Sequence, residues 1–285
     1  MSYDILVIGA GPAGLSAALQ ARARGKSVLV VAGDDRDNAL YKAHQIDNYL
    51  GLPGLTGAEL LDRFAAHARE AGVERRTGRV LGVMPVGDRF YVSIDSDMEE
   101  AGAVILALGV SRGKKYPGEA EFLGRGVSYC ATCDGALYRE KRVAVVGLSA
   151  DAPEEAAFLK QLGCRVTYVA AKRPEHLEDD IPFVKGVKLE IRGEKAVTVL
   201  EADGEEIPCD GVFLLRPSLA PADLLPGLET DGGYITADRD GRTNIPGVFA
   251  AGDCTGLPLQ VSKAVGEGLV AGLRAAEYLD QTRQK

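Results

Sequence analysis

The sequence predicts an α/β protein of two Rossmann-like domains, the second inserted in the first, and three observations carry that expectation. A β-branched run over residues 3–8 passes through a glycine-rich turn at 9–14 into an alanine-rich helical pattern over 15–24, and a second buried strand follows over 26–31. The same succession starts again at Lys141, with strands over 142–146 and 165–170 flanking a helix over 153–162. Around Asn244 the pattern changes once more, into a strand over 247–251, the Gly252-Asp253 pair and a last helix over 261–278. This ending reads as a return to the first domain, which assigns residues 1–111 and 243–285 to that domain and residues 112–242 to the insertion.

Between these landmarks, residues 55–71 have helical periodicity, short alternating strands follow over 79–83 and 89–94, and a buried strand over 103–108 is ended by Gly109. Pro153 falls in the first turn of its helix, where a missing backbone donor does no harm.

Bulk properties narrow the function classes. A chain of 285 residues is comfortable for two α/β domains, and 46% hydrophobic with 26% charged residues excludes disordered and fibrous classes. No stretch approaches the roughly 20 apolar residues of a membrane helix. The apolar N-terminus is interrupted by Gly9, Gly11, Pro12 and Gly14 and has no basic leader, so a cytoplasmic protein is expected. A net charge of -8 argues against nucleic acid as the principal partner. Two local basic clusters, Arg112/Lys114/Lys115 and Arg139/Lys141/Arg142, read as solvated faces or as landing points for an acidic protein. The five cysteines are not spaced like a secreted disulfide framework, which again favours a reducing compartment.

Two motifs carry chemistry. Gly9-Ala10-Gly11-Pro12-Ala13-Gly14 satisfies GxGxxG between a strand and a helix, where glycines tighten the turn and let a pyrophosphate approach backbone donors. The ribose-binding carboxylate expected at the end of the second strand is replaced by Ala32, leaving Asp34 or Asp35 to substitute, if anything does. Cys130-Ala131-Thr132-Cys133-Asp134 is a CxxC that can cycle between disulfide and dithiol. A zinc site needs four ligands, and the isolated Cys164, Cys209 and Cys254 with His44, His67 and His176 do not assemble a set, so no metal is expected. Asp134 either caps a helix or moves a proton for a departing thiolate.

Together GAGPAG, CATCDG (residues 130–135) and NIPGVFAAGD (residues 244–253) resemble the bacterial low-molecular-weight thioredoxin reductases in content and order, over nearly the whole chain. The resemblance implies two FAD/NAD(P)-binding domains, a homodimer and a thioredoxin-like dithiol partner. It implies an FAD site including Gly9, Gly11, Pro12, Ala13, Gly14, Gly109 and Gly252, with Asp253 on the ribityl chain. Gln260 and Val261 would meet the pyrimidine edge, and Asn48 would face the flavin. It further implies that Cys133 lies next to the flavin, that Cys130 attacks the protein substrate, that Asp134 handles a proton, and that domain rotation lets one CxxC visit both. The plainer alternatives are that Asp253 caps the last helix, Asn48 holds a turn and Gln260 sits on the surface.

The second glycine motif departs from that family. Its turn reads Gly147-Leu148-Ser149-Ala150-Asp151-Ala152, and the usual His-Arg-Arg cluster for the 2′-phosphate is replaced by Ala170-Ala171-Lys172, with Arg173 beyond. The interval from Cys133 to Asp253 is short, and Asn38-Ala39-Leu40 replace the glycines and glutamine that usually precede the flavin-facing loop. The combination resembles the pyridine-nucleotide-independent branch, the ferredoxin-dependent flavin thioredoxin reductases, and implies ferredoxin as electron donor. Three alternatives remain at this level: an NADPH-dependent reductase with a degenerate motif, an oxygen-using dithiol oxidase, and a flavin-binding sensor.

Overall fold

The computed structural model describes residues 2–110, 115–217 and 219–282. Residues 1–112 and 218–285 make one compact unit, and residues 113–217 make a second. No helix among the described residues is long and apolar enough to cross a membrane.

The first unit opens with β1 (Ser2–Ile8), α1 (Pro12–Ala23) and β2 (Val28–Ala32). Helix α1 begins three residues earlier than the alanine pattern because Pro12 occupies its first turn, with φ already set for a helix. Then come α2 (Gly57–Glu70), β3 (Glu74–Thr77), β4 (Val80–Val86), β5 (Arg89–Ile94) and β6 (Asp97–Leu106). A capping box fixes the start of α2: the Thr56 side chain accepts the Glu59 N–H while the Glu59 carboxylate takes the Thr56 N–H. Strand β1 is central, parallel to β2 on one side and β6 on the other. Ile5, Leu6 and Val7 are fully buried, so both faces are covered and the strand reads as a continuous apolar run.

Two features of this opening segment, β3 and the first half of β6, escaped sequence reading. Strand β3 is the charged Glu-Arg-Arg-Thr, held at the sheet edge by parallel pairing with β2 and by Arg75–Asp35 and Arg76–Glu99 ion pairs. Strand β6 begins at Asp97 rather than residue 103, because its polar first half pairs antiparallel with β5 and only Ala101 onward is buried.

The second unit runs through α3 (Glu119–Phe122), β7 (Val127–Ser128), α4 (Ala131–Asp134), β8 (Arg142–Gly147), α5 (Ala152–Gln161), β9 (Arg165–Ala170) and β10 (Phe183–Lys185). It ends with β11 (Leu189–Gly193), β12 (Val197–Ala202), β13 (Glu205–Pro208) and β14 (Gly211–Leu215). Five strands form a parallel sheet in the order β10-β9-β8-β14-β7, and β11, β12 and β13 form a separate antiparallel sheet. That second sheet has no counterpart in the sequence expectation.

The chain rejoins the first unit at residue 218 rather than 243. Leu219, Leu224, Leu225 and Leu228 are buried there, around α6 (Pro221–Leu224), and the hairpin β15 (Thr230–Asp231) and β16 (Tyr234–Ile235) follows. Strand β17 (Val248–Ala250) pairs parallel with the inner half of β6, and α7 (Val261–Thr282) lies along α1. A Cβ at Gly268 would meet Ala13 O at 2.1 Å and one at Gly272 would meet Ala17 O at 2.3 Å, so α7 rests directly on the α1 backbone.

Gly268→Ala is expected to force the two helices apart and to cost about 1–3 kcal/mol in denaturant unfolding. Gly266→Ala in the same helix, with nothing within 4 Å of its Cβ, is expected to be neutral or to stabilise by about 0.5–1 kcal/mol.

Candidate active site

In the first unit, the chemistry-bearing residues gather where β1, β6 and β17 end side by side. The Ala107 N–H bonds Ile8 O, and the Ala251 N–H bonds Leu106 O. Gly9 has φ +112°, and a Cβ there would meet Ala107 O at 2.1 Å; one at Gly14 would meet Gly9 O at 1.8 Å. The turn therefore closes only with glycine at both positions. Gly11 caps α1 without a side-chain hydrogen bond, no acidic residue stands in the helix's first turn, and Pro12 has no N–H to place. The remaining donors at the α1 start, with Ala13 and Gly14 among them, are left for an anion.

Gly252 packs on that turn: its Cβ position lies 2.7 Å from Ala13 Cβ. Asp253 follows in a short 3-10 turn, and its Oδ1 is buried without a hydrogen-bond partner. Burial pushes the Asp253 carboxyl up, Lys263 draws it down, Glu267 pushes it up again, and the net shift is upward. An unpartnered buried acceptor beside an uncapped helix start fits a ligand carrying hydroxyls next to a phosphate. Asn48 and Gln260, 212 residues apart, meet directly, Nδ2 donating to Oε1 at 2.8 Å. Val261 starts α7, where the first N–H groups lack intrahelical partners. Gly109 follows β6 with φ +65°.

The two candidate ribose acids are otherwise engaged. Asp34 takes three hydrogen bonds from Arg36, which hold its carboxyl below the usual range, and Asp35 is paired with Arg75. Instead, Asn38 places its amide 3.2 Å from the Cβ position of Gly11.

In the second unit, Cys130 and Cys133 are joined as a disulfide at the start of α4. Cys130 is buried and Cys133 exposed. Cys130 Sγ lies 3.1 Å from the Cys133 N–H and 3.3 Å from Thr132 Oγ1, two groups that would stabilise a thiolate there. Ser128 donates its hydroxyl to Asp134 Oδ2 at 2.6 Å and accepts the Cys130 N–H at 3.1 Å, so Asp134 is tied to the CxxC by one intervening side chain. The Ala131 N–H donates to Glu155 Oε2 from α5, and Gly135 lets Leu159 and Leu162 close in. By contrast, burial pushes the Cys254 thiol up to about 11, Cys209 to about 12, and Cys164 up as well, which keeps all three protonated. Among the described residues no group of three or more His, Cys, Asp or Glu side chains is placed to hold a metal ion.

The second glycine turn ends β8 at a sheet position where nucleotides bind in open α/β folds. Here α5 starts with Asp151, Glu154 and Glu155, which load its N-terminus with carboxylates. Tyr168 fills the space beneath, its hydroxyl 1.8 Å from the Cβ position of Gly147. Burial, with Glu154 and Asp151 adding to it, pushes that phenol up to about 12. Arg173 donates to the Ile181 and Glu178 carbonyls and lies over Phe183, which leaves Lys172 exposed.

Residues 3–268 match the family model described as pyridine nucleotide-disulphide oxidoreductase. The chain belongs to that family. A thioredoxin reductase of Listeria monocytogenes is 32% identical over 305 residues, covering 99% of this chain and 95% of that one. A ferredoxin-flavin thioredoxin reductase from Clostridium acetobutylicum is 41% identical with a TM-score of 0.95 over 100% of both chains. A thioredoxin reductase from Gloeobacter violaceus is 33% identical with a TM-score of 0.86, over 98% of this chain and 95% of the other. The protein is thus a disulfide oxidoreductase of the thioredoxin reductase type.

Residues near these turns that sequence reading did not single out are Lys263, Glu267, Glu155 and a buried pair, Glu119 and Arg216, together with the contact of Asn38 with the first turn. Only Lys263 and Glu267 left a sequence signal, a spacing of four next to a motif. Arg216 donates from both terminal nitrogens to Glu119, at 2.6 and 2.8 Å, and Tyr129, next to Cys130, donates its hydroxyl to the same carboxylate at 2.9 Å. Of the two basic clusters, Arg112 and Lys114 lie outside the described residues, while Lys141 covers the Tyr138 ring and Arg142 is held by Asp210.

Burial pushes the Glu119 carboxyl up, but the Arg216 guanidinium and the Tyr116 and Tyr129 donors outweigh it and hold it below its ordinary value. A depressed carboxylate stabilises the fold fully above its unfolded pKa of about 4.3 and loses that contribution as pH falls through the lower folded value. Denaturant unfolding from pH 7 to 3 is therefore expected to show a loss below about pH 4.3 that is smaller in Glu119→Gln. Arg216→Met, which leaves the carboxylate buried alone, is expected to cost roughly 3–5 kcal/mol at pH 7.

Proposed function

We propose that this oxidoreductase is an FAD-dependent thioredoxin reductase whose electron donor is ferredoxin rather than NADPH. The observation that carries the donor is the acidic start of α5: Asp151, Glu154 and Glu155 stand where a pyridine nucleotide's pyrophosphate would need donors and positive charge. The similarity to the Clostridium acetobutylicum protein, a ferredoxin-flavin thioredoxin reductase, supports the same reading. FAD supplies a centre that accepts electrons singly and releases them in pairs, as coupling a one-electron carrier to a disulfide requires.

The residues divide the work as follows. The Gly9 to Gly14 turn and the first N–H groups of α1 take the pyrophosphate, with Gly109 and Gly252 as close-approach backbone. Asp253 takes ribityl hydroxyls through its unpartnered oxygen. Asn48 and Gln260, already bonded to each other, with the Val261 N–H, form an edge for the pyrimidine ring. Cys133, whose side chain is exposed, would be the sulfur that receives electrons from the flavin, as the family resemblance implies.

Two electrons and two protons convert the Cys130–Cys133 disulfide to thiols. Cys130, with two donors on its sulfur, then attacks one sulfur of the thioredoxin disulfide, forming a mixed disulfide and releasing the other thioredoxin sulfur as thiolate. Attack by Cys133 on Cys130 frees the reduced dithiol and restores the pair. Asp134, fixed by Ser128, passes the proton. Because Cys130 is buried, exchange requires it to come to the surface. Lys115, Arg139, Lys141 and Arg142 are the described members of the basic clusters that would receive an acidic ferredoxin. We place the protein in a reducing cytoplasm, as a homodimer.

Anaerobic mixing decides the donor. Reduced ferredoxin is expected to bleach the flavin and, with oxidised thioredoxin added, to yield dithiol. NADPH is expected to bleach it at least ten- to a hundredfold more slowly, the factor for one missing charge-assisted phosphate contact of about 1.5–3 kcal/mol. Rapid bleaching by NADPH would overturn the donor. Cys130→Ser and Cys133→Ser should each abolish thioredoxin reduction while keeping bleaching by ferredoxin; retained reduction would refute the relay.

A further inference from the structure

The loop between β17 and α7 carries Asp253 and Gln260, and it is closed locally by Thr255, whose N–H and hydroxyl both donate to Gly252 O at 3.0 and 2.7 Å. It turns on two glycines in the left-handed region, Gly252 with φ +87° and Gly256 with φ +123°. Asp253 Oδ1 makes no hydrogen bond, so the place of this carboxyl is set by the backbone beneath it. From the first turn of α7, Lys263 reaches back under the loop. Its Nζ lies 2.9 Å from Gly252 O, 3.0 Å from Gly256 O, 3.2 Å from Thr255 Oγ1 and 3.1 Å from Glu267 Oε2. The two carbonyls belong to the residues that flank the Asp253-Cys254-Thr255 turn, so one ammonium bridges both of its ends. Glu267 completes the arrangement, since the same Oε2 accepts the Gly252 N–H at 2.9 Å and lies 2.9 Å from Thr255 Oγ1.

We propose that Lys263 is the positioning residue of the flavin site: by bridging Gly252 and Gly256 it fixes where Asp253 presents its carboxylate to the ribityl chain. This rests on the FAD reading of the first unit and names a residue that acts through Asp253 without touching the cofactor itself. The side chain is largely buried, at 16% exposure, and its contacts are to this one loop and to Glu267. A lysine that only balanced Glu267 would need neither carbonyl. An ammonium also suits the role because it presents three donors from a point, which lets it meet acceptors arranged around a turn rather than in a plane.

The test is a double-mutant cycle on FAD affinity, read by titrating apoprotein with FAD and following flavin fluorescence, with thermal unfolding of each apoprotein alongside. Lys263→Met is expected to raise the FAD dissociation constant at least tenfold while the apoprotein still unfolds cooperatively. In an Asp253→Ala background the same substitution is expected to change the constant less than threefold, because the group it positions is gone. Glu267→Gln, which leaves both carbonyl contacts in place, is expected to have the smaller effect of the two single changes.

If Lys263→Met fails to fold, Lys263→Gln, which keeps an uncharged amide donor group on a shorter side chain, is put through the same cycle. Unchanged FAD affinity in the lysine variant, or an equal loss with and without Asp253, overturns the proposal. Failure of the unaltered protein to bind FAD would instead overturn the flavin reading on which it rests, so the two failures are told apart by the unaltered chain.

Discussion

Backbone lying directly on backbone is the constraint around which the first unit is built. The Gly9 turn sits against Ala107 O, Gly14 against Gly9 O, and Gly268 and Gly272 of α7 against carbonyls of α1, each at a separation that leaves no room for a Cβ. These contacts bring three strand ends and two helices into one small volume. A rigid scaffold of this kind can hold donors and a carboxylate at fixed spacing without relying on long side chains. Removing water from the same volume is what leaves Asp253 with a raised pKa and an unpartnered oxygen, so the tight packing and the readiness for a ligand have a common origin.

The second unit repeats the strand-turn-helix succession of the first. Its sheet, its glycine turn and its helix α5 retain the geometry of a nucleotide site, but the charge at the helix start has changed sign. A helix N-terminus attracts an anion through partial positive charge, and the carboxylates in or beside the first turn oppose that attraction. One of them, Glu155, is instead bonded to the Ala131 N–H at the redox-active turn. The segment entering that turn is anchored from its other side by Tyr129 on the Glu119–Arg216 pair. The disulfide is thus braced by groups of its own unit.

The parts of the fold that sequence reading found are those with strong periodicity and punctuation. The strands over 89–94 and 165–170 are observed at those bounds, since alternation or a continuous apolar run marks them clearly. What went unseen was polar or locally ambiguous. The edge strand Glu74–Thr77 has no apolar residue to announce it, and the outer half of β6 is charged because it faces water. The early return of the chain at 218 rests on leucines whose burial depends on which unit they reach.

For the sites, the division follows from range. GAGPAG, CATCDG and GVFAAGD are local sequences whose residue types are imposed by turn geometry and thiol chemistry, and by themselves they determined the fold class, the redox pair and the family. Only tertiary structure could join Asn48 to Gln260, seat Asn38 beside Gly11, bury Glu119 against Arg216 and carry Lys263 under the Asp253 turn. The first three link segments brought together by sheet order and helix packing, and the last depends on how the loop folds back onto the first turn of α7. A hydrogen bond depends on ångström distances that spacing along a chain does not encode.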